Sequence, residues 1–219
     1  MRKRGGMEPW FQDHMLVNPL LQAEVVKRCQ NVDFRDEPDA VAHDLGMIDL
    51  PDGRSIRAWL CHAADGVVLD DLGQTLLIRR LNNPGRGKLA LPGGLLDTKF
   101  PGVESSREAA LREVMEETGM PAGVLAQAEV TRLGHRRYVR PFDIRQAWND
   151  LPGTPVQMNE IFTVSTMAFR IRLPGNLRNI CLIAGDDAAA VIIVPAKNVK
   201  VSDLAVPDHI EMIHDALHV

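Results

Sequence analysis

The stretch "LPGGLLDTKFPGVESSREAALREVMEETGM", residues 91 to 120, constrains the fold more than any other part of the chain, because it contains a helix with both ends written into it. Ser105 followed by Glu108 forms a capping box, Ser-x-x-Glu, and Gly119 suits the left-handed position that closes a helix. At ~100° per residue, Glu113, Glu116 and Glu117 share one sector of that helix, ~100° wide. Leu111, Val114, Met115 and Thr118 fall on the other side and are expected to face a core. Ala109 and Ala110 lie near the acidic sector, one turn earlier, and are expected to leave open space there. A Pro92-Gly93-Gly94 turn precedes the helix and allows backbone to approach a ligand closely.

Carboxylates at i, i+3 and i+4 repel by a few tenths of a kcal/mol per pair. A solvated acidic face accounts for a bare Glu-x-x-Glu-Glu, but this one has company. Arg112 adjoins Glu113, and Glu104 stands just before the helix, where a Glu104–Arg112 pair would pin the loop to it. A bound Mg²⁺ or Mn²⁺ is the better explanation, since both ions take oxygen ligands and keep waters that substrate phosphates displace.

Around this helix the pattern is mostly strands. "SIRAWLCHAA" leads into "GVVLDDLGQTLLIRR", a hairpin turning at Asp70, Asp71 and Gly73. "KLALP", "LAQAEVTRLG", "HRRYVRPF" and "IFTVSTMAFRIRLP" read as further strands, and "AAAVIIVPA" as a buried one. "PDHIEMIHDALHV" closes as a helix with Ile210, Ile213 and Leu217 at helical spacing. This hairpin-rich order predicts an α/β fold, a mixed sheet packed between helices. Residues 1–53 read as an N-terminal extension, with a short helix after Asn18-Pro19, expected to serve in dimerisation or as a lid; residues 54–219 read as the main domain.

Several classes are excluded. A net charge of −4 carries no nucleic-acid footprint. The three cysteines, Cys29, Cys61 and Cys181, are too scattered for a disulfide framework or a zinc site. No apolar run approaches the ~18 residues of a membrane span, and the basic start lacks a secretory core, so a cytoplasmic protein is expected.

The residues from Glu104 onward resemble the Nudix hydrolase signature, G-x5-E-x7-R-E-U-x-E-E-x-G-U with U bulky and aliphatic. Glu104, Arg112, Glu113, Val114, Glu116, Glu117, Gly119 and Met120 match it in register. The front half departs: "LLDTKFPGV" separates Gly94 from Glu104 where the family has five residues, which reads as a longer loop. The resemblance implies the Nudix fold, an α/β/α sandwich, and hydrolysis of a nucleoside diphosphate linked to another moiety. It implies that Glu113, Glu116, Glu117 and the Gly94 carbonyl hold Mg²⁺ or Mn²⁺, while Glu104 and Arg112 orient the loop and Glu113.

Two later stretches are similar to segments of mitochondrial-type ADP-ribose pyrophosphatases: "YVRPFDIRQAW", with Tyr138, Asp143, Arg145 and Trp148, and "AGDDAAAVIIV", with Asp186 and Asp187. Arg145 suits phosphate oxygens, Asp143 a ribose hydroxyl, and Tyr138 or Trp148 an adenine ring. Asp186 and Asp187 would approach the metal centre from a loop, or simply make a turn. Arg79 and Arg80, ending "TLLIRR", would lean over the phosphates or serve as an exposed strand end. The resemblance thus implies a small-molecule substrate, ADP-ribose first, with NADH, a dinucleoside polyphosphate or a nucleotide sugar as alternatives; a homodimer is an expectation attached to the N-terminal extension. A non-catalytic ADP-ribose sensor is the rival from another class. His62, His135, His209 and His214 form no ligand pattern and receive no role.

Overall fold

The computed structural model describes residues 19–29, 32, 38–49, 51, 53, 55–82, 85–98, 102–142, 160–185 and 188–219. Along the chain come α1 (Pro19–Cys29), β1 (Ala42–Asp49), β2 (Ser55–Leu69), β3 (Gln74–Arg80), β4 (Leu89–Ala90) and β5 (Gly93–Leu95). Then follow α2 (Ser106–Thr118), α3 (Ala122–Leu125), β6 (Glu129–Phe142), β7 (Glu160–Arg172), β8 (Ala188–Pro195) and α4 (His209–His218).

β2 is the axis of the sheet. It is buried at every position from Leu60 to Leu69, as its nearly unbroken run of small and apolar residues requires of a central strand. One edge of β2 is taken along Arg57–Leu69 by β7, which runs parallel to it. The other edge is shared in succession by β1 along Ser55–Cys61, β5 along Ala63–Asp65 and β3 at Leu69, all antiparallel. β6 extends the sheet beyond β7, while β4 and β8 pair with β3.

Side chains alternate across β2 and so divide the molecule into layers. Ala64, Gly66 and Val68 face α2, where Ala109, Ala110 and Val114 pack. Val67 and Leu69 face α4 and its Met212, Ile213 and Ala216. The result is an α/β/α sandwich on a mixed sheet. α1 packs through Leu21, Val25 and Cys29 onto Ile48, Ala58, Leu60 and Ile161. Its Arg28 donates from Nη1 to the carbonyls of Leu45 (2.7 Å) and Met47 (2.9 Å). The boundary between residues 53 and 54 lies in the turn joining β1 to β2, so β1 shares the sheet of the main domain.

Four local features differ from the sequence reading. Residues 55–69 are one strand rather than two: Gly66 does not break it but makes room, since a Cβ there would stand 2.7 Å from Val114 Cγ2. "LAQAEVTRLG" and "HRRYVRPF" likewise join in β6, whose register shifts between Leu133 and Arg137, around Gly134 with its φ of 64°. β8 is only half-buried after Ala188, because it lies outside β3 at the sheet margin. Ala109 and Ala110 leave no open space: both are fully buried against Ala64, Leu96, Met167 and Phe169, while Met115, expected inside, is exposed. The hairpin at Asp70 forms as expected, with Asp70 Oδ1 accepting from the N–H groups of Leu72 (2.9 Å) and Gln74 (2.8 Å).

Candidate active site

Local sequence determines α2 at both ends. Ser105 Oγ accepts from Glu108 N–H (3.2 Å) and Glu108 Oε2 accepts from Ser105 N–H (2.7 Å), completing the capping box. Gly119 closes the helix at φ 64°. The C-terminal carbonyls of α2, which an isolated helix leaves unpaired, are met by a distant segment: Ile183 N–H donates to Thr118 O (2.9 Å) and Gly185 N–H to Glu117 O (3.2 Å). Gly185 is needed there, because a Cβ would stand 2.6 Å from Glu116 O.

The acidic stripe does not face bulk solvent as a whole. Glu117 is 2 % exposed and Glu113 8 %, whereas the Glu116 side chain is 47 % exposed. What buries the first two is the Gly93-Gly94 pair, which the sequence reads as a turn but which forms the start of β5, paired antiparallel with Asp65 and Ala64 of β2. Gly93 N–H donates to Glu117 Oε2 at 3.0 Å. At Gly94, an added Cβ would lie 2.3 Å from Glu113 Oε1, so the carboxylate occupies the place of a side chain. On the opposite face an added Cβ at Gly93 would lie 2.2 Å from Asp65 Oδ1. The two successive glycines are therefore squeezed between carboxylates above and below, and it is space rather than an unusual φ that calls for them.

Arg112 ties the helix to the loop. It donates from Nη2 to Glu104 Oε1 (2.6 Å) and to Leu95 O (3.0 Å), and from Nε to Glu104 Oε2 (3.1 Å). Its Nη1 donates to Glu113 Oε1 (2.7 Å) and Glu116 Oε2 (2.8 Å). These contacts, Glu104 foremost, hold the guanidinium pKa well above its ordinary value, so Arg112 is a permanent cation. Glu104 Oε1 also accepts from Asp97 N–H (2.7 Å), and Glu104 N–H donates back to Asp97 O (3.1 Å). With a bridge between Thr98 and Val103, this pinches the longer loop off between Asp97 and Glu104 and leaves Glu104 beside the helix.

The donor set suits a hard divalent cation: three carboxylates on little more than one turn, against a glycine backbone with no Cβ in the way. Among the described residues no three acidic, His or Cys side chains converge at cation-holding distance; Arg112 bridges Glu113 and Glu116, and Glu117 is turned toward Gly93.

The other expected site residues are distributed as follows. Arg79 donates from Nη1 to Gly87 O (2.8 Å) on an exposed loop, and Arg80 is near enough to His209 to act on it electrostatically. The backbone of Tyr138 lies in β6 opposite Ser165. Asp143, Arg145, Trp148, Asp186 and Asp187 lie outside the described residues. Two residues to which the sequence reading gives no role, Asp65 and His209, stand directly behind the turn. Their separation along the chain hides them, and only the strand position of Asp65 opposite Gly93 brings them together.

The family model for the NUDIX domain matches residues 60–215, from β2 through most of α4 and including all of α2. The chain belongs to the NUDIX domain family, the Nudix hydrolase superfamily. Over 58 residues it is 45% identical to the ADP-ribose pyrophosphatase of Methanocaldococcus jannaschii, covering 26% of this chain and 31% of that protein. Among solved structures it resembles the dihydroneopterin triphosphate pyrophosphohydrolase of E. coli, with a TM-score of 0.52 and 15% identity over 72% of this chain and 96% of that one. A bifunctional NMN adenylyltransferase/ADP ribose pyrophosphatase from Francisella tularensis, complexed with AMP and Mn, aligns with a TM-score of 0.44 and 22% identity, covering 94% of this chain and 48% of that one. The chain thus spans about a third of the first relative and about half of the last.

Proposed function

We propose that this protein is a divalent-cation-dependent pyrophosphohydrolase of nucleoside diphosphate compounds, with ADP-ribose as substrate and AMP and ribose 5-phosphate as products. The observation that carries this reading is the burial of Glu113 and Glu117 against the Gly93-Gly94 turn. Carboxylates held side by side out of bulk water are costly, and a hard divalent cation is a partner that such a set of oxygen donors suits. Glu113, Glu116, Glu117 and the Gly94 carbonyl would hold Mg²⁺ or Mn²⁺. When bound, such ions neutralise the diphosphate and activate the attacking water. Arg112 and Glu104 keep Glu113 and the loop oriented, and the turn brings backbone within reach of the phosphates. ADP-ribose is favoured by the stretch shared with the archaeal ADP-ribose pyrophosphatase and by the likeness of the segments around Asp143 and Asp186 to enzymes of that specificity.

A substrate panel tests the reading. With Mg²⁺, purified protein is expected to release AMP from ADP-ribose faster than from NADH, a dinucleoside polyphosphate or a nucleotide sugar; equal rates across the panel remove the substrate assignment. Glu116→Gln and Glu117→Gln should each lower kcat by about 10²-fold or more with the fold retained, following the scale of lost transition-state charge stabilisation. Unchanged turnover in both refutes the cation role of the helix. Tight ADP-ribose binding without turnover in either Mg²⁺ or Mn²⁺ would instead make the protein a sensor.

A further inference from the structure

The glutamates hold the Gly-Gly turn from one side only. On the other side lies a buried polar group that the proposed chemistry does not use. His209, the first residue of α4, is 5 % exposed, and its Nδ1 accepts from Leu91 N–H at 3.1 Å. An acceptor at Nδ1 places the ring proton on Nε2, which stands 3.7 Å from Asp65 Oδ1. Asp65 is itself buried and held, its Oδ2 accepting from Thr166 Oγ1 at 2.5 Å. Asp65 also fills the space beside Gly93 that a side chain would occupy. The segment entering α4 grips the chain two residues earlier as well: Ala205 N–H donates to Leu89 O at 2.7 Å. Pro92 O accepts from Gly66 N–H at 2.8 Å. Leu91, Pro92 and Gly93 therefore each have one backbone group fixed by a different element: α4, β2 and α2. Burial lowers the His209 pKa below its usual value, in keeping with a neutral acceptor.

We propose that His209, backed by Asp65 and Thr166, is a positioning residue for the cation-binding turn: it fixes the backbone at Leu91 so that the Gly94 carbonyl stays in register with Glu113 and Glu117. The proposal rests on the reading that these groups hold a divalent cation. His209 touches neither substrate nor cation and acts only through the backbone. Its two nitrogens have separable tasks, and amide side chains can imitate each. In His209→Asn the amide oxygen replaces Nδ1 and keeps the bond to Leu91. In His209→Gln the amide reaches the Nε2 position toward Asp65, and the acceptor for Leu91 is lost.

The test is Mn²⁺ binding to the full chain without substrate, followed by the electron paramagnetic resonance signal of the free ion, at a temperature where circular dichroism shows each variant folded. His209→Gln should weaken Mn²⁺ binding by about tenfold or more, the usual effect of losing a partner behind a ligand, and His209→Asn by far less. At saturating Mn²⁺ the KM for substrate should be unchanged in both, with the loss appearing in the Mn²⁺ requirement. A purely structural role would lower thermal stability and leave Mn²⁺ affinity alone. If His209→Gln binds Mn²⁺ like wild type while Glu117→Gln does not, the proposal is overturned and the cation reading survives. Equal losses in the Asn and Gln variants also overturn it. If Glu117→Gln binds Mn²⁺ normally, the cation reading fails and takes the proposal with it. Should His209→Gln not fold, wild type decides: the ¹⁵N resonance of His209 Nδ1 should shift on Mg²⁺ titration with the midpoint of cation binding, and a resonance that stays put overturns the proposal.

Discussion

Adding one methyl group at Gly93 or at Gly94 should produce two different failures. In Gly93→Ala the new Cβ meets Asp65 Oδ1 at 2.2 Å, Ala64 O at 2.6 Å and Asp65 Cα at 2.9 Å. Two of these are backbone atoms of the central strand, paired on one edge with β7 and on the other with β5, so relief requires moving the ladder. Overpacking of this kind costs roughly 2–3 kcal/mol, the upper part of its usual range. For a chain of this size that lowers Tm by about 4–12 °C. In Gly94→Ala the nearest atoms, at 2.3, 2.6 and 2.9 Å, all belong to the Glu113 carboxylate, which can swing. Swinging gives up its 2.7 Å bond to Arg112, a guanidinium 21 % exposed and hence partly screened, so the loss is about 1 kcal/mol and the Tm falls by only about 2–4 °C. On the proposed cation role of Glu113, however, displacing its carboxylate should weaken Mn²⁺ binding by about tenfold or more. Scanning calorimetry and Mn²⁺ titration on the two variants separate these effects. A Gly94→Ala protein that binds Mn²⁺ like wild type, or a Gly93→Ala protein with an unaltered Tm, would refute the picture of a turn wedged between carboxylates.

Other expectations concern the surroundings of the site. Arg112→Lys loses the fork that engages Glu104 through two nitrogens and leaves that buried carboxylate poorly paired, so unfolding in urea should show a loss of about 3 kcal/mol; an unchanged midpoint would show that Glu104 finds another donor. His209 has a folded pKa depressed chiefly by burial, with Arg80 acting the same way and Asp65 and Asp208 opposing. The unfolded chain therefore binds the extra proton first, so stability is complete above ~6.5 and declines as pH falls from there toward the folded pKa. Urea titrations from pH 7.5 to 5 should show a steeper decline for wild type than for His209→Asn, and parallel curves would contradict a neutral His209. Burial pushes the thiols of Cys61 and Cys29 up to about 12 and about 11, while Cys181 is exposed. A thiol reagent at pH 8 should modify Cys181 rapidly and the other two only after unfolding; fast labelling of Cys61 in the folded protein would show that the β2 face opens.

The parts of this fold that were legible in the sequence are those whose cause is local. The capping box of Ser105 and Glu108, the left-handed stop at Gly119 and the Asp70 turn each depend on atoms a few residues apart, and each forms where the sequence places it. The Glu104–Arg112 pair is legible for the same reason, with only the N-cap and about two turns of helix between them. Residues whose meaning comes from a distant neighbour read one way in the sequence and another in the fold. Ala109 and Ala110 look like an open shelf beside the acidic stripe until Leu96 and Met167 cover them. The run of β-branched residues in β8 suggests full burial, but burial depends on whether a strand lies at the margin of its sheet, and composition does not encode that.

The acidic stripe shows the same division at the centre of the site. Helical spacing alone places Glu113, Glu116 and Glu117 together but leaves open whether water or protein covers them. The difference is made by β5, three residues long, which brings the Gly-Gly turn against the helix because Ala63–Asp65 offers it an edge. Once there, the turn separates the three carboxylates: Glu113 and Glu117 are buried against backbone, and Glu116 stays half in solvent. A solvated acidic face would have no such asymmetry, since nothing would distinguish one exposed glutamate from the next. Glu113 and Glu117 form an inner wall and Glu116 an open side, with Arg112 joining Glu113 to Glu116 and the Gly93 N–H meeting Glu117. The glycines, and not the glutamates alone, therefore carry the signal: each is small because a carboxylate stands where its side chain would be.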